Sequence, residues 1–304
     1  MNQAAAHEGL DRRGLVAGFT AYGLWGIFPL YFHLLGRSGA LEVVAHRIFW
    51  TLVFCIVVVA VTRSWRQAQS SLSDSRLVRT LLGAGLLVSL NWLIYVYAVL
   101  TDRVVDASLG YFMNPLVTAL LGVLVLRERV NRLQITAFGI GLAAVLVIVI
   151  GVGRLPWIGL GLALSFGFYS LAKSHVGKRT TPVIGIGIEA MALAPLSGAY
   201  IVFLEITRHG TATTISWTYF LLLAAAGLVT AVPLLLFAMA AARLPLTVVA
   251  LLQYVAPVLQ FLIGVLVFHE HMPVVRWIGF VLVWLALVVL TWDMVRRMRQ
   301  TPAA

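Results

Sequence analysis

The chain predicts an all-α integral membrane protein of ten transmembrane helices in two inverted five-helix repeats. Three observations carry that prediction. Of 304 residues, 61% are apolar and only 11% charged, whereas a soluble domain carries about 25% charge to cover its surface. The apolar residues fall in nearly continuous runs separated by short polar loops, and about 20 such residues cross a bilayer as a helix. The segment 109–138, LGYFMNPLVTALLGVLVLRERVNRLQITAF, returns 142 positions later as 251–280, LLQYVAPVLQFLIGVLVFHEHMPVVRWIGF, with nine of thirty positions identical. A mid-segment proline, the run Gly-Val-Leu-Val and a closing glutamate (Pro115 and Glu128, then Pro257 and Glu270) stay in register. Repetition at a long period divides the chain into two units of one plan.

Taken in order, the spans are 14–35, 42–61, 77–100, 107–126, 133–153, 156–174, 183–204, 218–242, 247–268 and 274–295. The first follows Arg12 and Arg13 as a signal peptide would, but it is too long for a signal core and no small-x-small cleavage site follows. With the N-terminus inside, sixteen Lys and Arg fall in cytoplasmic segments and six outside, the asymmetry of the positive-inside rule. Ten spans return the C-terminus to the cytoplasm. Residues 1–13 and 296–304 are then cytoplasmic tails, 14–153 the first repeat and 156–295 the second. Five spans is an odd number, so the second repeat lies upside down relative to the first. The turn Arg127-Glu128-Arg129 falls inside and its counterpart His269-Glu270-His271 outside. Inverted repeats about a midplane site are a plan of secondary transporters. The net charge of +11 sets orientation rather than marking a nucleic-acid face. The single Cys55 lies in an apolar run and forms no intrachain disulfide.

Four stretches, AYGLWGIFPLYF (21–32), LEVVAHRIFW (41–50), LNWLIYVYAV (90–99) and SLGYFMNPL (108–116), resemble the RarD family. That family belongs to the EamA-like branch of the drug/metabolite transporter superfamily of bacterial inner membranes. The resemblance runs from about Leu15 to Met294; its second half matches only the broader superfamily pattern. It implies the ten-helix drug/metabolite transporter fold, and relatives that move amino acids, drugs and other metabolites, usually outward.

Polar groups inside a bilayer are expensive and mark cavities or pathways. In span one, Tyr22 and Trp25 lie too deep for an interfacial belt and offer a flat wall to a substrate. Span two brings Glu42, His46 and Trp50 to one face, beside Arg47. Arg47 is placed to meet a substrate carboxylate, with Glu42 and His46 as proton-coupling candidates; the bland reading is an interfacial arginine that snorkels and a locally paired glutamate. Asn91 and Tyr95, one turn apart in span three, and Tyr111 in span four are candidate ligand contacts, an interhelical hydrogen bond being the alternative. Pro115 and Pro257 are candidate hinges, since proline frees a carbonyl one turn back. In span six Tyr169 is a cavity candidate and Lys173 is expected to snorkel to the cytoplasm. Glu189 reads as the inverted-half analogue of Glu42. The repeated Glu128 and Glu270 read as clasps at span ends.

No nucleophile elbow, metal-spaced His/Cys set or phosphate loop appears in the sequence, so no enzyme, cofactor or metal is expected. The expected partners are a small-molecule substrate and the lipid bilayer, with no nucleic acid and a homodimer left open. The reading is carrier-type transport by rocking of the repeats, with export favoured by the resemblance. A membrane receptor that binds without transporting is the runner-up.

Overall fold

The computed structural model describes residues 11–126, 131–174, 176 and 179–300, and among them every regular element is a helix. α1 (Arg12–His33) and α2 (Ala40–Val61) are followed by a short α3 (Trp65–Ser73), then α4 (Ser75–Leu100), α5 (Val104–Leu126) and α6 (Arg132–Val152). α7 (Trp157–Ser174) leads to α8 (Pro182–Met191), α9 (Ala194–Ile206) and α10 (Trp217–Arg243). α11 (Leu246–Leu252), α12 (Val255–Leu262), a π-helical turn (Ile263–Val267) and α13 (Val274–Gln300) complete the order.

Among the described residues, eight segments are long and apolar enough to cross a membrane, and α8 with α9, bent by 56°, makes a ninth if the pair is one span. This is a multi-pass, all-helical membrane protein. α7 is not among those segments although the sequence predicts a span over 156–174. Its 18 residues include glycines, serines and Lys173 that dilute the apolar run.

Local chemistry accounts for the starts and breaks. A helix leaves its first N–H groups without intrahelical partners. Asp11 accepts from the N–H groups of Arg13 and Gly14, Asp74 from Leu77, and Ser216 from Tyr219. Asn131 and Gln134 form a reciprocal capping box at α6. Proline has no N–H and leaves free the carbonyl four residues earlier. Pro195 does so to Met191 and Pro257 to Gln253, and the chain breaks at both places, between α8 and α9 and between α11 and α12. Within the unbroken α1, Pro29 frees the Trp25 carbonyl, which accepts instead from Gln260 Nε2 at 3.0 Å.

Small residues let backbones touch where lipid supplies no hydrophobic drive between helices. α4 packs on α8 and α10 on α2. A methyl group on Gly85 would lie 2.2 Å from the Glu189 carbonyl oxygen, and one on Gly227 would lie 2.3 Å from the Trp50 carbonyl carbon. Gly227 stands 142 residues after Gly85. The α1–α12 and α5–α7 contacts are related to within one residue of the same spacing: Gly26 abuts Leu259 and Gly167 abuts Val117.

Candidate functional site: a buried arginine chamber

α2 turns Glu42, His46 and Arg47 inward, all buried. Arg47 is only 3% exposed. Its Nε donates to Thr230 Oγ1 of α10 at 2.7 Å. Its guanidinium carbon lies 4.2 Å from the ring centre of Trp92, 5.3 Å from Phe32 and 5.7 Å from Phe28. Phe28 and Phe32 are one turn apart on α1, so both rings project from the same stripe. Burying a guanidinium in a bilayer costs from about 3 to more than 10 kcal/mol, depending on how far water follows it. A desolvated cation–π contact returns about 2 kcal/mol and the hydroxyl about 1 kcal/mol. Neither provides for Nη1, which has no hydrogen-bond partner, and among the described residues Arg47 has no carboxylate in ion-pair range.

Beside it, Asn91 of α4 donates through Nδ2 to Leu162 O and Ser165 Oγ, both at 3.0 Å, and accepts from the Tyr111 hydroxyl at 3.3 Å. In this conformation its amide is a bridge between α4 and α7. The Tyr95 ring lies tilted at 5.6 Å from Tyr111 and edge-on at 6.0 Å from Phe32, and its hydroxyl has no partner. The structure therefore gathers Arg47, Asn91, Tyr95 and Tyr111, from three helices, into one cluster.

The other predicted residues have partners of their own. Tyr22 and Trp25 form an aromatic trio with Phe237, with ring centres 5.2–6.0 Å apart, and Trp25 packs against the apolar core that includes Phe28, Phe32 and Tyr95. His46 accepts at Nδ1 from Trp50 Nε1 at 3.3 Å. Glu42 accepts from the Thr211 N–H at 2.7 Å and its hydroxyl at 2.9 Å, and Ser38 links Thr211 to Tyr219. Tyr169 lies apart, donating to Glu189 at 3.2 Å. Lys173 does not snorkel as expected: its ammonium pairs with Glu189, a buried carboxylate that draws it inward. Glu189 stands 142 residues after Arg47 and 147 after Glu42. Pro115 sits within the continuous α5, whereas Pro257 follows the α11–α12 break.

Glu270 is the clasp the sequence predicts. Its two carboxylate oxygens accept from the N–H groups of Val104 and Val105, capping α5 from across the bundle. Burial raises its carboxyl to about 7, against the lowering effect of those N–H groups. Glu128 lies outside the described residues. No group of His, Cys, Asp and Glu among the described residues is arranged to hold a metal. A 290 Å³ cavity edged by Arg103, Asp106, Arg154 and Arg276 and a 440 Å³ apolar groove beside Trp284 lie elsewhere, and neither reaches Arg47.

Sequence reasoning missed Thr230, Thr211 and Ser165. A hydroxyl in an apolar run bonds its own helix by default, as Thr230 also does to Ala226 O. Nothing in such a run signals a second partner on another helix, and Thr211 stands among other threonines in the loop before α10 with nothing to single it out.

The model of the EamA-like transporter family matches the chain twice, over residues 12–150 and 156–292. Protein RarD of Streptomyces exfoliatus is 45% identical over 97% of this chain and 93% of its own. The uncharacterized transporter YojE of Bacillus subtilis is 39% identical over 94% and 95%. Protein RarD of Escherichia coli is 36% identical over 95% and 97%. One solved crystal structure superposes on 91% of this chain and 96% of its own with a TM-score of 0.56 at 19% identity, a likeness of fold.

Proposed function

Because the chain belongs to the EamA-like transporter family, and within it to the RarD branch, we propose that it is a secondary-active carrier of a small organic solute. The solute binds at the Arg47 chamber between two inverted five-helix repeats, which rock to expose it to either side of a bacterial inner membrane. The observation that carries this reading is the buried cluster itself: charged and hydroxyl donors without partners, set among aromatic rings where α1, α2, α4 and α5 meet. A structural core leaves few buried donors unmet, whereas a closed binding site leaves those its ligand will take.

The inverted plan is supported by the double family match and by the paired glycine contacts at Gly85 and Gly227. Alternating access needs two related conformers, and matched backbone contacts let either half take the part of the other. On this reading both termini are cytoplasmic and movement is outward. Glu42 and His46 carry the proton that couples it. His46 lies one residue from Arg47, and a ligand that neutralises that charge changes how readily the imidazole takes a proton. The test is flux of a bound solute across proteoliposomes holding the purified protein. Counterflow exchange and accumulation driven by a pH gradient are both expected, and His46→Gln keeps the first while losing the second. Binding without flux in either mode overturns the carrier reading in favour of a receptor.

A further inference from the structure

We infer that the solute is a carboxylate with a flat apolar body, and that Arg47 is its anchor. This rests on the carrier reading for where the solute goes, and on the chamber's charge for what it is.

The two halves are unlike at the position that matters. Glu189 stands 142 residues after Arg47 and is buried as well. It is fully provided for: Lys173 pairs with one carboxylate oxygen and the Tyr169 hydroxyl donates to the other. Arg47 has no such counter-ion among the described residues. Glu42, the carboxylate nearest in sequence, lies five residues earlier and is taken up by Thr211. The chamber therefore keeps one uncompensated positive charge, and a cationic solute would meet repulsion without a partner.

The geometry narrows the class. Trp92 covers the guanidinium at 4.2 Å, with Phe28 and Phe32 close by. Nε is taken by Thr230. Nη1 is buried without a partner, and its N–H groups lie in the guanidinium plane and suit a carboxylate approaching edge-on. The free donor nearby is the Tyr95 hydroxyl, which suits a second acceptor oxygen. One fixed charge matches a monoanion better than a phosphate dianion. Around the anchor stand Trp92, Phe28 and Phe32, with the paired rings of Tyr95 and Tyr111 beside Phe32, which favour a planar apolar body over a sugar or polyol.

The test uses the full chain in lipid nanodiscs. The probes are benzoate, phenylacetate, indole-3-acetate and N-acetylphenylalanine, each with its matched amide, and phenethylamine as a cation. At least one carboxylate is expected to bind ten-fold or more tighter than its amide by calorimetry, and the amine not at all. Arg47→Gln removes that preference and Arg47→Lys restores part of it. Without ligand, Arg47→Met raises the melting temperature, because it removes an unmet buried charge; a purely structural arginine would lower it. No carboxylate binding better than its amide, preference surviving Arg47→Gln, or a destabilised Arg47→Met protein overturns the inference. Failure here is separable from failure of the carrier reading. Flux of a neutral or cationic solute without carboxylate preference keeps the carrier and discards the anchor, whereas carboxylate binding without flux does the reverse.

Discussion

Alanine at Gly85 or Gly227 is the sharpest structural perturbation the fold offers. At Gly85 the new methyl would lie 2.2 Å from the Glu189 carbonyl oxygen, and at Gly227 2.3 Å from the Trp50 carbonyl carbon, against 3.4 Å for ordinary contact. Both obstacles are helix backbone, so no side-chain rotation relieves them. The helices must part by about 1 Å, and every contact along the α4–α8 or α10–α2 seam weakens with them. Overpacking of this kind costs about 1–3 kcal/mol, against which alanine returns up to about 1 kcal/mol of helix propensity. Gly83 and Gly139 lie in the same kinds of helix with nothing within 4 Å of the added methyl. Gly83→Ala and Gly139→Ala should therefore be neutral or slightly stabilising. Equilibrium unfolding of purified protein in detergent measures all four. A net loss near 1–2 kcal/mol is expected for Gly85→Ala and Gly227→Ala alike, because in both the obstacle is helix backbone. Equal stability of Gly85→Ala and Gly83→Ala would refute the close approach.

Three further predictions follow from particular residues. The Glu270 carboxyl rises from 4.5 to about 7 on folding, so between those values the folded protein holds a proton the unfolded chain has released, and stability falls as pH rises through that window. The full shift corresponds to about 3 kcal/mol, and partial solvent access reduces it to about 1–2 kcal/mol; Glu270→Gln should flatten the melting temperature from pH 4.5 to 7, and an unchanged slope counts against the clasp. Replacing Pro115 and Pro257 together with alanine should slow turnover while leaving ligand affinity and stability close to wild type, and unchanged turnover in the double variant reduces both prolines to packing. Reporter fusions should place Gln69, Arg132 and the C-terminus in the cytoplasm and Arg103 and His209 outside, and an external C-terminus excludes ten spans.

The sequence made the helices legible because each is an apolar run of bilayer length, and runs of that kind need no tertiary information to be read. The breaks were half legible. Pro257 was visible as a repeated proline, but the break falls four residues earlier, at the carbonyl it frees, and Pro195 broke the seventh span unannounced. The chamber was legible as residue types: Arg47, Asn91, Tyr95 and Tyr111 are polar or aromatic groups deep in spans, and the fold brings them together. Their partners were not. Thr230 reaches Arg47 across 183 positions and Thr211 reaches Glu42 across 169; a hydroxyl in an apolar run carries no mark of such a pairing, and Thr211 is one of several threonines in the loop between α9 and α10. Lys173 was misread for a related reason. Snorkelling is what a lysine at a helix end does when nothing draws it inward, and the buried Glu189 lies on a different helix.

The central claim is that one chamber faces the two sides of the membrane in turn, and thiol accessibility tests it most directly. In a Cys55→Ala background, Trp92→Cys places a single thiol on the wall of the chamber over the Arg47 guanidinium. A membrane-impermeant maleimide is applied to right-side-out and to inside-out vesicles, with and without a transported solute. Labelling from both sides, with the solute slowing it from each, is what a carrier predicts. Labelling from one side only, whatever the solute, would contradict alternating access and leave a binding site without transport.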